Sequence, residues 1–336
     1  MSENHLPVLD LSHLDAGLAE RQQFLKDLRH AAHDSGFFYV IGHSVNASLL
    51  AQVQQQAKAF FALSSADKLS VQMIHSPHFR GYSQASAEYT RGQRDWREQF
   101  DLGAERVALA LAAHEPAWKR LQGPNLWPQA LPSLRPIVEE WQRALNQTAL
   151  KILRALALAL GLAENAFDQL YGQSPNEHAK LIRYPGREHT DSEQGVGPHK
   201  DSGILGLVLQ DEQSGLQVQT HAGEWIDAKP IAGSFVVNIG ELLELATNGY
   251  LRATIHRVIT PPAGQQRFSI AFFLGAPLDT TVPIYPLAPE LAAQAQGPAT
   301  DPLNPLLREV GWNYLKGRLR SHPDVAQRYY ADILAN

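Results

Sequence analysis

Leu216-Gln217-Val218-Gln219-Thr220 sets Leu216, Val218 and Thr220 in alternation with two glutamines. That period of two is the mark of a strand with one face covered and one face wet. Similar short runs lie on both sides: Lys180–Tyr184, Ile204–Gln210, Phe235–Ile239, Thr254–Ile259 and Phe268–Leu274, separated by Gly, Pro and Asn. Many short strands punctuated by turn residues predict a sandwich, barrel or jelly roll from His178 onward.

The first half reads mainly as helices. Glu20 to His33 carries Phe24, Leu28 and Ala31 or Ala32 on one stripe, and Ala47 to Leu63 repeats Leu50, Val53, Ala57 and Phe60 or Phe61 at helical spacing. Between them Phe37-Phe38-Tyr39-Val40-Ile41 suits a buried strand. Ser64-Ser65-Ala66-Asp67 has the form of an N-cap box. Arg80 to Asp101 has no clean period and reads as loop with short elements. A long helix is expected from Leu134 to Leu160, with Trp141, Leu145, Ile152, Leu156 and Leu160 on one face and Gly161 at its C-cap. The tail from Pro305 reads as helical again, ending in an amphipathic segment around Val325 to Leu334.

Composition removes several classes of function. The 336-residue chain is 44% hydrophobic and 19% charged, enough to bury a large core. Its formal net charge of −5 gives no electrostatic reason to expect nucleic acid or an anionic membrane as partner. Lys316, Arg318 and Arg320 read as a solvated helix face. Without cysteine there are no disulfides, thiolate metal sites or cysteine nucleophiles, so a transition metal would have to sit on His and carboxylate. The N-terminus, Met-Ser-Glu-Asn-His-Leu-Pro, carries no visible signal peptide, and no apolar stretch approaches the roughly 18 residues that span a bilayer. Cytoplasmic is the default expectation.

Chemistry concentrates in three places. In His199-Lys200-Asp201 a strand would put the first and third side chains on one face. An H-x-D triplet is common, so alone it says little. His256 lies within a strand-like run, where a lone histidine needs a partner and could simply be hydrogen-bonded in the core. Arg267-Phe268-Ser269 then sets a guanidinium and a hydroxyl on one face, a fork suited to a carboxylate. Two histidines and one aspartate with open positions form the facial triad of non-haem iron(II) oxygenases. Iron(II) with one carboxylate carries a net positive charge that a dianionic 2-oxo acid can meet, leaving Arg267 for the far carboxylate.

With these residues in place, the chain resembles the iron(II)/2-oxoglutarate dioxygenases related to isopenicillin N synthase. Leu6-Pro7-Val8-Leu9-Asp10-Leu11, Gly36 to His43, Phe60-Phe61-Ala62-Leu63, Arg80-Gly81-Tyr82 and Arg97-Glu98-Gln99-Phe100-Asp101 carry the N-terminal part of the likeness. Arg183-Tyr184-Pro185, His199-x-Asp201, Thr247-Asn248-Gly249, His256-Arg257-Val258 and Arg267-x-Ser269 carry the catalytic part. The resemblance implies an α+β fold, a double-stranded β-helix (jelly-roll) core with flanking helices. It divides the chain into a helix-rich region 1–177, a cofactor-binding core 178–280 and a C-terminal helical segment 281–336 packed on that core.

The same likeness implies Fe(II) on His199, Asp201 and His256, with 2-oxoglutarate and O₂ as cosubstrates. Tyr184 would take the carboxylate beside the 2-oxo group, and Arg267 and Ser269 the distal one. A plain aromatic core role for Tyr184 stays equally open. Lys180 and Ile182 share the strand face of Tyr184 and would line the pocket. The implied enzyme couples 2-oxoglutarate decarboxylation to oxidation of a small molecule, as a monomer without nucleic acid or membrane partners. Alternatives are a 2-oxoglutarate-independent oxidase or cyclase of a peptide-like substrate, ethylene-forming fragmentation of 2-oxoglutarate, and a non-enzymatic metal-binding barrel. The pattern departs in three places: Glu241 stands where relatives usually have Asp, Ser44 where Gly is usual, and the segment Pro185 to Gly197 is polar.

Overall fold

The computed structural model describes residues 5–112, 114–299, 301–302 and 304–334. The first four residues of the segment read for a signal peptide lie outside them. Among the described residues fourteen strands form, all but a separate two-stranded pair in one sandwich. They are β1 (Val8–Asp10), β2 (Phe37–Ile41), β3 (Gly81–Ser83), β4 (Tyr89–Thr90), β5 (Gln93–Arg94), β6 (Glu98–Gly103), β7 (His178–Tyr184), β8 (Gln194–His199), β9 (Leu205–Gln210), β10 (Leu216–Gln219), β11 (Trp225–Asp227), β12 (Phe235–Ile239), β13 (His256–Ile259) and β14 (Arg267–Leu274). Ten helices accompany them: α1 (Leu18–His30), α2 (Ala47–Phe61), α3 (Ser65–Ser70), α4 (Leu134–Ala159), α5 (Asp168–Tyr171), α6 (Glu241–Ala246), α7 (Pro289–Ala292), α8 (Val310–Ser321), α9 (Pro323–Tyr329) and α10 (Ala331–Leu334).

The large sheet runs β1-β2-β12-β9-β14-β7-β6-β3, and the small one β11-β10-β13-β8. Their facing surfaces make the double-stranded β-helix, so the architecture is α+β as expected. Period-two alternation decides which side chain goes where. Phe37 and Tyr39 of β2 join Ile182, Tyr184, Val196, Leu216, Val218 and Val258 between the sheets. Phe38 and Val40 point the other way and pack with Phe60, Trp141, Leu145, Ile152 and Phe272 beneath the helices. Helix α4 exists because its apolar stripe covers that outer face. It ends at Gly161, whose φ of 74° a side chain would resist. The Ser64 hydroxyl accepts from the Asp67 N–H and starts α3, as the cap box predicts.

Four sequence expectations need correction. Glu98 to Asp101, the end of the stretch read as loop, belong to the six-residue strand β6, paired with β7, and every residue of β6 is buried. Its polar residues hid it, because their partners are charges brought in from elsewhere. The run read as Thr254–Ile259 enters the ladder only at His256. His199 is the last residue of β8 and Asp201 lies beyond the strand, so irregular backbone, and not strand alternation, brings the pair together. Finally, Lys316, Arg318 and Arg320 are not one solvated face: Arg318 is buried, Lys316 half-buried and Arg320 exposed. Among the described residues no helix is long and apolar enough to cross a membrane.

Candidate active site

His199 ends β8 directly opposite His256, the first residue of β13, with ring centroids 4.2 Å apart. Asp201 reaches between them. Its two carboxylate oxygens lie 3.7 Å from His199 Nε2 and 3.8 Å from His256 Nε2. One ligand atom from each of the three residues lies within 4.8 Å of the other two. The Nδ1 of each ring faces a backbone carbonyl, Gly197 at 2.8 Å and Thr254 at 3.1 Å. Those bonds place the proton on Nδ1 and leave each Nε2 lone pair free toward the shared centre. Burial, with His256 alongside, holds His199 well below its ordinary pKa, so its ring is neutral and able to ligate. Two imidazole nitrogens and one carboxylate suit a divalent iron.

Asn238 fixes the carboxylate. Its Nδ2 donates to Asp201 Oδ2 at 2.8 Å, from an otherwise apolar strand, Phe235-Val236-Val237-Asn238-Ile239. Gly206 pairs with Asn238 across the ladder, and a Cβ there would lie 2.3 Å from Asn238 Oδ1 and 3.0 Å from Asp201 Oδ2. Sequence reading singled out neither residue. A lone amide in a buried apolar strand was the available signal, since such a group must have a partner.

Arg267 opens β14 on the same inner surface and is 1% exposed. Its Nη2 donates to Gln210 Oε1 at 2.8 Å and its Nη1 to Ser269 Oγ at 3.3 Å, while Nε has no partner. Its guanidinium carbon lies 5.1 Å from the centre of the Tyr184 ring. No carboxylate comes within 4 Å among the described residues, and burial lowers the guanidinium pKa. A buried cation held only by neutral groups is an anion site in waiting. Tyr184 sits opposite Arg267 in the β7–β14 register. Its ring therefore lies at the Arg267 end of the cavity.

A cavity of about 800 Å³ joins these parts, and Lys180, Ile182 and Tyr184 all line it, as their shared strand face requires. Beyond the histidines its wall is charged. Arg97 donates to Glu88 at 2.6 Å, Arg318 to Asp101 at 3.0 Å, and Lys180 lies between the two carboxylates. His178 and His322 pack into this cluster, both pushed down by burial, His322 to about 4. Glu241, at the start of α6, also faces the cavity, and burial pushes its carboxyl up to about 7.

Comparison with known proteins agrees with this geometry. Residues 6–130 match the family model described as non-haem dioxygenase in morphine synthesis N-terminal, and residues 175–276 match the 2OG-Fe(II) oxygenase superfamily. The chain is 36% identical to the 2-oxoglutarate-dependent dioxygenase frbJ of Dothideomycetidae sp. (strain 11243), with 100% of this chain and 95% of the other covered. It is 35% identical to homoarginine-6-hydroxylase 2-ODD-C23.1 of Arabidopsis thaliana, covering 82% and 86%. Among solved structures it resembles a full-length Neurospora crassa protein crystallised in complex with alpha-KG and 5-formyluracil, with a TM-score of 0.72, 26% identity and coverage of 87% and 92%. The chain belongs to the iron(II)/2-oxoglutarate-dependent dioxygenases.

Proposed function

We propose that this dioxygenase holds its iron on His199, Asp201 and His256 and oxidises a small molecule bound in the charged part of the cavity. The convergence of the two Nε2 atoms on one carboxylate, with each Nδ1 bonded to a carbonyl, carries the reading. Iron(II) there would supply the redox chemistry by which O₂ and 2-oxoglutarate oxidise the substrate, 2-oxoglutarate leaving as succinate and CO₂.

The protein's own contribution is placement. Asn238 keeps Asp201 turned toward the histidines. Arg267, Ser269 and Tyr184 take the distal carboxylate of 2-oxoglutarate, so the opposite end of that molecule faces the His199–Asp201–His256 centre. Ile182, Val196, Leu216 and Val258 wall the space between and exclude water. The printed name of the Arabidopsis relative makes homoarginine the first substrate to assay. A net charge of −5 supports a monomer without nucleic acid partners, which sedimentation would check.

The test is O₂ consumption by the iron(II)-loaded protein with and without 2-oxoglutarate, with succinate assayed alongside. Uptake that requires 2-oxoglutarate and yields succinate is expected. Uptake without it, or none at all, would overturn the reading.

A further inference from the structure

Helix α6 carries a carboxylate that ties three separate stretches of chain to one point beside the metal ligands. Glu244 is 3% exposed. Its Oε2 accepts from the Lys200 ammonium at 2.9 Å and from the Ala253 N–H at 3.1 Å, and its Oε1 accepts from the Ala299 N–H at 2.7 Å. Lys200 also lies 3.3 Å from Oε1. An ionised carboxylate only accepts, through about four lone-pair positions, and these contacts use them. An amide of the same length has a single oxygen and would turn its own N–H groups toward one of the donors.

The donors sit where regular structure has stopped supplying bonds. Lys200 lies between His199, the last residue of β8, and Asp201, which is beyond the strand. Ala253 stands just ahead of His256, where β13 begins. The carbonyl of the next residue, Thr254, faces His256 Nδ1 at 3.1 Å, so holding Ala253 restrains the group that orients that ring. Ala299 lines the cavity together with Asp301 and Pro302, and Asp301 reaches Arg91, in the turn of the β4–β5 hairpin, at 3.6 Å. The anchor is itself fixed to the ligand segment, because the Glu241 N–H at the start of α6 donates to the Asp201 carbonyl at 2.8 Å. Glu244 lies behind the cavity wall and acts through these neighbours. Apolar residues of similar volume often serve stability as well as a buried ion pair does, but they cannot hold three segments in one geometry.

We propose that Glu244 is a positioning residue of this dioxygenase, its one carboxylate holding the His199–Asp201 segment, the approach to His256 and the cavity rim at Ala299 in fixed relation. This role rests on the iron site proposed above, whose ligands it would space.

The experiment compares the full chain with Glu244→Gln and Glu244→Asp, after melting curves show that each is folded at the working temperature. Hydrogen exchange of the iron-free proteins, read by mass spectrometry, should be roughly tenfold faster in Glu244→Gln around Ala253 and Ala299 and within about twofold over α4. Iron(II) affinity, read by equilibrium dialysis, should fall roughly 10–100-fold in the same variant. Glu244→Asp keeps the charge on a shorter arm, and its affinity should lie between the two. An unchanged iron affinity in folded Glu244→Gln, or exchange that accelerates equally over the whole chain, would overturn the role and leave a carboxylate that serves stability alone. Were Glu244→Gln unable to fold, an affinity of Glu244→Asp equal to the parent's would overturn it as well. A parent protein that binds no iron(II) would instead remove the three-ligand site itself, and the positioning role with it.

Discussion

Arg267→Met separates binding from stability. In the free protein Arg267 is a fully buried cation whose partners, Gln210 and Ser269, are neutral, and its Nε has none. The desolvation cost of the guanidinium is thus already met before 2-oxoglutarate arrives, and a carboxylate docked on the Nη atoms gains charge-assisted bonds without repeating it. Such bonds contribute about 1.5–3 kcal/mol each. Two of them give about 3–6 kcal/mol, or roughly 10²- to 10⁴-fold in affinity. Half-saturation of succinate formation by 2-oxoglutarate should rise by that factor in Arg267→Met, and by less in Arg267→Lys, which keeps the charge but loses the fork. Stability should behave oppositely. Replacing an unpaired buried charge with a side chain of similar length costs little, and the main loss is the partner of Gln210 Oε1, about 1 kcal/mol. The ligand-free variant should therefore melt within a few degrees of the parent. The roughly 2.7 kcal/mol that 2-oxoglutarate adds at 100 times its Kd should disappear at the same concentration. An unchanged half-saturation, or a ligand-free protein destabilised by more than about 3 kcal/mol, would refute the idea that Arg267 is held for an anion.

Other perturbations follow from the same structure. Asp201→Ala should abolish turnover and iron(II) binding, measured by equilibrium dialysis; retained iron would discount the three-residue site. Asn238→Ala and Gly206→Ala should both lower iron affinity by roughly 10–100-fold, since the first removes the amide that orients Asp201 and the second pushes it aside. His322 is held near 4 against an ordinary 6.5, so below pH 6.5 the unfolded chain takes up a proton that the folded chain refuses. Its contribution is complete above 6.5 and lost as pH falls toward 4, about 3 kcal/mol in all, and His322→Gln should flatten that slope in denaturant titrations. Leu156→Ala in α4, at a fully buried position, should cost about 2–5 kcal/mol in the same assay.

The parts of this molecule legible in sequence are those in which each residue's partner is solvent or generic core. The stripe of α4, the run Phe37–Ile41 and the alternation at Leu216–Thr220 each declare a face, because burial alone explains them. The fold also brings His199, Asp201 and His256 to one place, and Tyr184 beside Arg267. What stayed hidden depends on specific partners far away in the chain. The stretch from Glu98 to Asp101 reads as loop until Lys68 and Arg183 are seen on Glu98, and Arg318 and His178 on Asp101. Arg318 reads as surface because nothing in its own helix shows that Asp101, 217 residues earlier, receives it. Asn238 was concealed in the same way, its reason being Asp201.

The charged wall follows from how the sheet is ordered. β6 and β7 are neighbours in the large sheet, so Gln99 and Asp101 come into register with Ile182 and Lys180, and the inward face of β7 continues to Tyr184 opposite Arg267. One strand face thus runs from the group that would hold 2-oxoglutarate to the cluster that would hold the substrate. Helix α8 closes the far side, bringing Arg318 onto Asp101 and Tyr314 into the cavity one turn earlier. Apolar residues of similar volume would cost the fold less than these buried charges. Stability therefore does not account for their presence, whereas recognition of a charged ligand does: a site whose buried groups stay unpaired with the wrong molecule rejects it far more strongly than an apolar pocket can. Swapping Arg318 and Asp101 together for Met and Leu removes both members of the 3.0 Å pair and should accordingly raise the melting temperature while abolishing discrimination between charged and uncharged candidate substrates. A double variant that melts lower, or still discriminates, would show that the network is needed for the fold and that selection lies elsewhere in the cavity.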